Sequence, residues 1–186
     1  MAYDYAGSWD THSGHQANLH PDPHNTACTP FSTATAVAHY ARFISPHKLV
    51  IGLPLYGRAF TNTAGPGTPF SGVGEGNWEN GVWDAKALPR PGAEEVCDER
   101  IGASWSYDGE GRVMVSYDTK RMAEVKGRWI KEKGLGGGMW WESSGDRKEG
   151  GLIEAVSFGF CFVGCGGFVM GGADELTGCG GVGADG

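Results

Sequence analysis

Basic residues are scarce in this sequence, and two kinds of targeting segment are absent from it. It contains 15 lysine and arginine residues against 22 aspartate and glutamate residues, which gives a net charge of -7. Nucleic-acid binding depends on clustered basic side chains that neutralise phosphates, so a nucleic-acid partner is not expected. The sequence has no apolar run of about 18 residues and no basic-then-apolar leader. We therefore expect neither a membrane partner nor a signal peptide in this chain.

Cysteine and histidine are too irregularly placed to indicate a metal site or a disulfide framework. The five cysteines are Cys28, Cys97, Cys161, Cys165 and Cys179, an odd number without paired C-x-x-C clusters. His12, His15, His20 and His24 lie in a segment without helical or strand spacing, and we interpret them as solvated loop residues. Gly178 to Gly183 fits G-x-G-x-x-G, but no predicted strand precedes it. The sequence predicts no metal and no cofactor.

Aromatic residues are plentiful, with seven Trp, six Tyr and eight Phe. Such side chains suit a carbohydrate or an apolar ligand, but they also fill protein cores. Composition alone leaves both interpretations open, so the positions of the aromatic residues must decide between them.

The first sixty residues have the pattern strand, loop, helix, strand. Met1 to Tyr5 is predicted as a strand, and residues 6–28 as a long loop rich in Gly, Ser, His, Asn and Pro. Thr29 and Pro30 predict the start of a helix, and Pro46 its end. The apolar face of that helix is predicted to carry Val37, Tyr40, Ala41 and Ile44. Leu49 to Leu55 is a continuous apolar run, typical of a parallel strand buried on both faces.

The rest of the chain contains an inserted segment, a further helix and a further strand. Residues 61–116 have many glycines and short alternating pieces, and they predict a mainly antiparallel insertion with a hairpin after Asp108. A helix is predicted from Thr119 to Lys133, with its apolar face formed by Met122, Val125, Trp129 and Ile130. A strand is predicted at Gly136 to Trp141. After Leu152 and Ile153 the sequence is dominated by glycine, and it predicts no structure there.

Strands that alternate with helices indicate βα units around a parallel sheet, with functional residues at the carboxyl ends of the strands. A (β/α)8 barrel needs eight strands and typically about 250 residues. The three predicted strands cannot close such a barrel.

Three segments together resemble the glycoside hydrolase family 18 chitinases, especially those of fungal type. They are Met1-Ala2-Tyr3-Asp4-Tyr5, Leu53-Pro54-Leu55-Tyr56-Gly57-Arg58 and Gly136-Gly137-Gly138-Met139-Trp140-Trp141-Glu142. They are similar to the sixth, seventh and eighth strands of that family's barrel. Gly14-His15, Trp78-Glu79-Asn80-Gly81, Trp83-Asp84, Ser106-Tyr107-Asp108 and Ser116-Tyr117-Asp118 extend the resemblance in the same order, over roughly residues 1–156.

The resemblance implies an α/β fold, namely part of a (β/α)8 barrel (strands 6 to 8) with an inserted α+β subdomain. Residues 1–60 would hold the sixth and seventh strands with the intervening helix, and residues 61–116 the subdomain. Residues 117–156 would hold a helix and the eighth strand, while residues 157–186 would form a disordered tail. The five preceding barrel strands are not found in this sequence, which leads us to expect a marginally stable, aggregation-prone chain.

The resemblance also implies a substrate and a set of site residues. Family 18 chitinases hydrolyse β-1,4-linked N-acetylglucosamine polymers with help from the acetamido group of the sugar, while a glutamate protonates the glycosidic oxygen. By resemblance, Tyr3 and Asp4 would be supporting catalytic residues. Met1, Arg58 and Trp141 would contact the reacting sugar, and Tyr56 would line the same wall. Trp140 would point away from the sugar. Glu79 and Glu142 would either tune the groove or hydrogen-bond sugar hydroxyls, or lie on the surface or behind the residues that touch the sugar.

The family's D-x-x-D-x-D-x-E motif, which carries the proton donor, is absent from these 186 residues. The first hypothesis is therefore a chitinase fragment that is inactive alone, from an extracellular parent enzyme. The second is a chitin-binding module without catalysis, in which Trp141, Trp78 and Tyr3 hold the sugar chain. The third is a structural remnant without a ligand. Chitin or a chito-oligosaccharide is the expected partner, and the oligomeric state is left open.

Overall fold

The computed structural model describes residues 1–148, 151–158 and 168–170. The helices of this part are α1 (Thr33–Tyr40), α2 (Lys120–Glu132) and α3 (Leu152–Phe158). Its strands are β1 (Val50–Pro54), β2 (Tyr56–Phe60), β3 (Val82–Asp84), β4 (Glu94–Asp98), β5 (Ala103–Asp108), β6 (Val113–Ser116), β7 (Gly137–Trp141) and β8 (Phe168–Met170). Within these ranges no helix has the length and apolar composition needed to cross a membrane.

Two sheets divide the strands. The first has the order β1-β7-β8, with β1 and β7 parallel and β7 and β8 antiparallel. The second is antiparallel throughout, with the order β3-β2-β6-β5-β4. The main apolar core lies between the first sheet and the helices, and includes Ile51, Leu53, Trp129, Ile130 and Val156.

Leu55 is the single residue between β1 and β2, and it joins the two sheets. Its backbone N–H donates to the carbonyl of Trp141 at 2.8 Å, and its carbonyl accepts from Ala85 N at 3.0 Å. Gly145 approaches the same residue so closely that a Cβ atom there would lie 2.3 Å from the Leu55 oxygen. Contacts with Trp141, Ala85 and Gly145 therefore fix the boundary between the sheets, which lies at the carboxyl ends of β1 and β7.

The strongest periodic signals of the sequence are confirmed. The apolar run at Leu49 to Leu55 contains β1, which pairs in parallel with β7 as expected for a βα unit. The hairpin after Asp108 is formed by β5 and β6. Thr119 is the N-cap of α2, and its side chain accepts from Met122 N, which satisfies one of the free N–H groups at the start of the helix.

The predicted strand at Met1 to Tyr5 is wrong. Asp4 has a φ of 61°, in the left-handed region that interrupts an extended chain. The segment still lies against β1, because Ala2 N donates to Gly52 O at 3.3 Å. It forms no strand of either sheet.

The first helix begins later than predicted and buries less. Its N-cap is Ser32, which accepts from Thr35 N, and it ends at Tyr40 rather than near Pro46. The helix packs against the core through Ala34 and Val37, whereas Tyr40 and Ile44 of the predicted apolar face are exposed. Pro46 begins a short 3-10 helix instead.

The region after Leu152 was predicted to be without structure, which is wrong for two segments. In α3, the N–H groups of Leu152 and Ile153 donate to the carboxylate of Asp146, so an acidic side chain stabilises the start of this short helix. Residues 168–170 pair with the free edge of β7. The other residues of the predicted tail, including Cys161, Cys165, Cys179 and the Gly178 to Gly183 motif, lie outside the described residues.

The antiparallel sheet extends beyond the segment predicted as an insertion. The antiparallel sheet includes β2, so it begins at Tyr56 and not after residue 60. His15 is a second correction, since it is buried with 1% exposure, whereas His12 and His24 are exposed as expected for loop residues.

Candidate functional site

A groove of about 440 Å³ lies at the boundary of the two sheets. Its walls come from the carboxyl end of β7, from β2 and from the loop before β3, and they include Asp4, Tyr56, Arg58, Trp78, Asp84 and Trp141. Because β1 and β7 are parallel and end together here, the groove lies where sequence reasoning places functional residues in βα proteins.

Asp4 is held by two donors on β2. Tyr56 Oη and Arg58 Nε both donate to Asp4 Oδ1, each at 2.6 Å. Neither donor uses the other oxygen, Oδ2. The left-handed backbone of Asp4 thus brings its carboxylate onto β2, although the two segments are more than fifty residues apart in sequence.

Contacts with Asp4 raise the pKa values of both Tyr56 and Arg58. Burial, followed by the hydrogen bond to Asp4, raises the pKa of Tyr56 well above its ordinary value. Burial lowers the pKa of Arg58, but the hydrogen bond and charge of Asp4 outweigh this effect and raise it overall. Tyr56 is therefore a protonated donor and Arg58 a fixed cation at neutral pH, so both can bind a polar ligand together with Asp4.

Tyr3 lies beneath this cluster. Its ring is buried and meets the ring of Tyr56 edge-on, with the ring centroids 6.0 Å apart. Burial, and then the charge of Asp4, raise the pKa of Tyr3. Its hydroxyl is therefore a hydrogen-bond donor at neutral pH.

Two indole rings line the same groove and remain accessible. Trp141 at the end of β7 is 58% exposed, and Trp78 in the loop before β3 is 71% exposed. Two exposed indoles in one groove form an apolar surface that a ligand or partner can cover. Trp140 has the opposite orientation: it packs against the main core, because successive residues of a strand point to opposite faces.

A third indole extends the site beyond Arg58. The guanidinium carbon of Arg58 lies 4.8 Å from the ring centroid of Trp9, and Arg58 Nη1 lies 3.9 Å from Glu79 Oε1. Trp9 sits in a turn in which Asp10 accepts from the N–H of Gly7. Its ring covers Gly7, where a Cβ atom would lie 2.4 Å from the indole. A second groove of about 480 Å³, lined by Trp9 and Arg58, continues from the first.

No group of three or more His, Cys, Asp or Glu side chains in the described ranges is arranged to hold a metal ion. Cys28 and Cys97 are both free thiols. Burial, together with the nearby charge of Asp22, raises the pKa of Cys28 to about 11, so this thiol stays protonated and unreactive.

The sequence model of a family described as glycosyl hydrolases family 18 matches residues 1–146. The chain belongs to this family. It is 48% identical over 149 residues to Chitinase 1 of Aphanocladium album, an alignment that covers 80% of this chain and 35% of that protein. The chain therefore spans about a third of the length of the curated relatives that it matches.

Solved structures of family 18 proteins have the same mixed α/β fold. The catalytic domain of psychrophilic chitinase B from Arthrobacter TAD20 superposes with a TM-score of 0.77 at 38% identity, over 86% of this chain and 37% of that one. A plant class V chitinase mutant from Cycas revoluta, solved in complex with (GlcNAc)3, superposes with a TM-score of 0.72 at 30% identity. That match covers 86% of this chain and 45% of the plant chain.

The structure brings together four of the six predicted site residues of this family 18 chain. Asp4, Tyr56, Arg58 and Trp141 line one groove, and the ring of Tyr3 meets that of Tyr56. Met1 does not join them: the residue is 91% exposed and does not line the groove.

Sequence reasoning missed Trp9 and Asp84, and it gave Glu142 no defined contact. Trp9 follows Asp4 by only five residues, and an exposed Trp in a Gly-rich loop was an available signal. Asp84 stands next to a tryptophan in the sequence, but its groove position depends on the pairing of β2 with β3. The carboxylate of Glu142 accepts from the N–H and hydroxyl groups of Ser144, so it caps the segment after β7.

Proposed function

We propose that this chain is the sugar-binding part of a chitinase catalytic domain and that its groove binds β-1,4-linked N-acetylglucosamine polymers. The main support for this proposal is that one groove contains both a hydrogen-bonded cluster, formed by Asp4, Tyr56 and Arg58, and the exposed indole of Trp141. A pyranose has an apolar C–H face and a polar rim, which match an indole and a set of hydrogen-bonding groups. The complex of the Cycas revoluta relative with (GlcNAc)3 supports the same ligand class.

The proposed mechanism is retaining hydrolysis assisted by the substrate. In this scheme the acetamido oxygen of the sugar attacks the anomeric carbon, while a glutamic acid protonates the leaving oxygen. Tyr3 would donate a hydrogen bond that orients the acetamido oxygen, and Asp4 would contact the sugar near the scissile bond. Arg58 and Tyr56 would bind polar groups, and Trp141 would stack on the reacting sugar.

We also propose that the 186-residue chain binds sugar without hydrolysing it. The motif that supplies the acid in this family does not occur among its residues. The nearest D-x-E, at Asp108 to Glu110, lies in a turn in which Asp108 accepts the N–H of Glu110. Glu142 lines the groove, but its carboxylate accepts a hydrogen bond from the hydroxyl of Ser144. Because a positioned general acid contributes about 10² to 10⁴-fold to such reactions, its loss removes measurable turnover.

The architecture proposed for this function is a segment of a (β/α)8 barrel with an inserted α+β subdomain. The parallel pair β1 and β7, with helices packed on it, supports the barrel segment, and the antiparallel sheet supports the insertion. The antiparallel strand β8 on the other edge of β7 departs from the all-parallel arrangement of a barrel. The extracellular location expected from the family resemblance stays a prediction.

A second candidate function is that of a chitin-binding module without catalysis. The exposure of both Trp78 and Trp141 in one groove favours it, because two accessible indoles bind a sugar chain whether or not an acid is present. The two candidates share the ligand and differ only in turnover.

Calorimetric titration of the purified chain with the tetramer of N-acetylglucosamine tests the proposed ligand. We expect binding of this tetramer, no binding of cellotetraose, which lacks acetamido groups, and at least tenfold weaker binding by Trp141→Ala. Phe43→Ala removes an exposed aromatic ring outside the groove and is the matched control. Absence of tetramer binding, or an equal loss in the control variant, would refute the assignment of the groove.

A release assay with a fluorogenic chitobiose glycoside separates the two candidate functions. We expect no release by the 186-residue chain. Release that disappears in Tyr3→Phe would overturn the claim of inactivity and show that this chain is a hydrolase by itself.

A further inference from the structure

The indole of Trp78 is fixed in orientation although it is 71% exposed. Its ring N–H donates to Asp84 Oδ1 at 2.8 Å. The loop that carries it is closed by Asn77, whose N–H donates to Val82 O and whose side-chain oxygen accepts from Asp84 N, each at 2.8 Å. An exposed aromatic ring with a fixed direction is suited to a ligand, because less conformational entropy is lost when the ligand binds.

Asp84 is the centre of this arrangement. Its carboxylate is almost completely buried, and its second oxygen, Oδ2, lies 3.1 Å from Lys86 Nζ. A buried carboxylate needs partners for its charge, and here the partners are one indole N–H and one ammonium group. The orientation of Trp78 is therefore coupled to the position of Lys86.

Lys86 extends this coupling to the opposite side of the groove. Its ammonium group donates to the backbone carbonyl of Ser144 at 2.5 Å. Ser144 belongs to the short segment directly after Trp141. Glu142 caps this segment, and Gly145 of the same segment packs against Leu55. The chain Trp78, Asp84, Lys86 and Ser144 thus connects the loop of one exposed indole to the segment that follows the other.

We propose that Asp84 and Lys86 are positioning residues, which hold the indoles of Trp78 and Trp141 at a fixed separation so that they contact different rings of one N-acetylglucosamine chain. This inference rests on the proposed function and extends it to the length of the ligand. Neither residue needs to touch the sugar. The affinity for a tetramer that reaches both indoles depends on the connection through Asp84 and Lys86. The affinity for a dimer that reaches only one indole depends on it much less.

The indole signals in a proton–nitrogen NMR spectrum of the ¹⁵N-tryptophan-labelled chain test the connection without any sugar. The chain has seven tryptophans, and the signal that disappears in Trp78→Phe identifies Trp78. We expect Lys86→Met to move this signal and to leave in place the signals of the tryptophans that lie outside the groove and outside the segment after β7. We expect Lys86→Arg to return the Trp78 signal towards its original position. Lys131→Met, which removes an exposed lysine of α2, is the matched control. An unmoved Trp78 signal in Lys86→Met would overturn the proposal.

Calorimetric titration of the same variants tests the consequence. We expect Lys86→Met to bind the N-acetylglucosamine tetramer about three- to tenfold more weakly, which corresponds to about 0.7 to 1.4 kcal/mol, and to bind the dimer with less than twofold change. Asp84→Asn is expected to follow the same pattern. Equal losses for dimer and tetramer would indicate general damage to the groove and overturn the positioning role.

The two measurements can refute the proposed function and the positioning role independently of each other. If the unmodified chain binds no oligosaccharide, the proposed function fails, while the NMR spectra still decide whether Lys86 fixes Trp78. If the chain binds the tetramer and Lys86→Met moves the Trp78 signal without weakening that binding, the proposed function stands and the positioning role is refuted.

Discussion

At the scale of single residues, the candidate site depends on contacts between positions far apart in sequence. The resemblance predicted Asp4, Tyr56 and Arg58 as separate contributors, and the structure joins them on one carboxylate oxygen. It did not predict that Met1 would be exposed and outside the groove. Local patterns identify residue types, whereas the direction of a side chain depends on backbone geometry.

His15 shows the same limit, and it makes the stability of the chain depend on pH. It was predicted to be solvated because its segment has no helical or strand spacing, but it is buried against Trp105, with ring centroids 4.9 Å apart. Burial lowers the pKa of His15 to about 4; the charges of Asp98 and Asp22 oppose this shift, and the charge of Lys126 adds to it. In the unfolded chain the imidazole has its ordinary pKa of about 6.5.

We therefore predict that His15 destabilises the fold as the pH falls from about 6.5 to about 4, because only the unfolded state binds the proton in this range. Over this window the wild type should lose about 3 kcal/mol more of its unfolding free energy than His15→Phe does. Urea unfolding followed by tryptophan fluorescence at pH 7, 6, 5 and 4 measures this difference. His24→Phe makes the same change at an exposed position, and it should track the wild type. Parallel pH curves for wild type and His15→Phe would contradict the prediction.

At the scale of elements, sequence patterns located those whose own residues bury an apolar face. The helix α2 has a clear 3.6-residue period and β1 a continuous apolar run, and both are found as predicted. The strand β8 was missed because its three residues depend on the free edge of β7 rather than on a pattern of their own. The start of α1 shifted to Ser32 because the hydroxyl of Thr29 is used elsewhere, where it accepts from Asp22 N.

A buried lysine of α2 forms an ion pair with Asp118 and a hydrogen bond with the loop of residues 6–28. Lys126 Nζ lies 2.7 Å from each oxygen of Asp118 and donates to the carbonyl of Ala17 at 2.5 Å. Burial raises the pKa of Asp118 and lowers that of Lys126, and the charge and hydrogen bond of each partner oppose these shifts. The loop that follows Asp4 is thereby connected to the helix before β7.

We predict that Lys126→Met lowers the unfolding free energy by about 3 to 5 kcal/mol, because it leaves the Asp118 carboxylate buried without a cation. The double variant Lys126→Met with Asp118→Leu should recover much of this loss, since no uncompensated charge then remains. Urea unfolding at pH 7 compares the variants, with Lys131→Met as a surface control. A double variant that is no more stable than Lys126→Met would show that the ion pair is not the cause of the loss.

At the scale of the whole molecule, the order of α1, β1, α2 and β7 could be predicted from the sequence, but the relation of the two sheets could not. That relation depends on Leu55, whose backbone groups pair with Trp141 and Ala85. Nothing in its residue type indicates this role. The groove exists because the two sheets meet at this residue, so even a correct set of strands would not have placed Trp78 and Trp141 in one cavity.

Exposed apolar side chains occur at both ends of α1. Phe31 is 67% and Phe43 is 73% exposed, and Tyr40 and Ile44 are also accessible. Exposed apolar patches of this kind promote association in water. This observation gives a structural reason for the aggregation that the sequence led us to expect.

We predict that the chain associates with rising concentration and that the double variant Phe31→Ser with Phe43→Lys associates less. Both side chains are exposed, so the unfolding free energy should change by no more than about 0.5 kcal/mol. The added lysine reduces the magnitude of the net charge of -7, which alone would favour association. A decrease in association must therefore come from the lost phenyl groups. Sedimentation velocity over a series of concentrations measures it, with Val96→Lys as a control that adds the same charge on β4. Equal association of wild type and double variant would show that another surface is responsible.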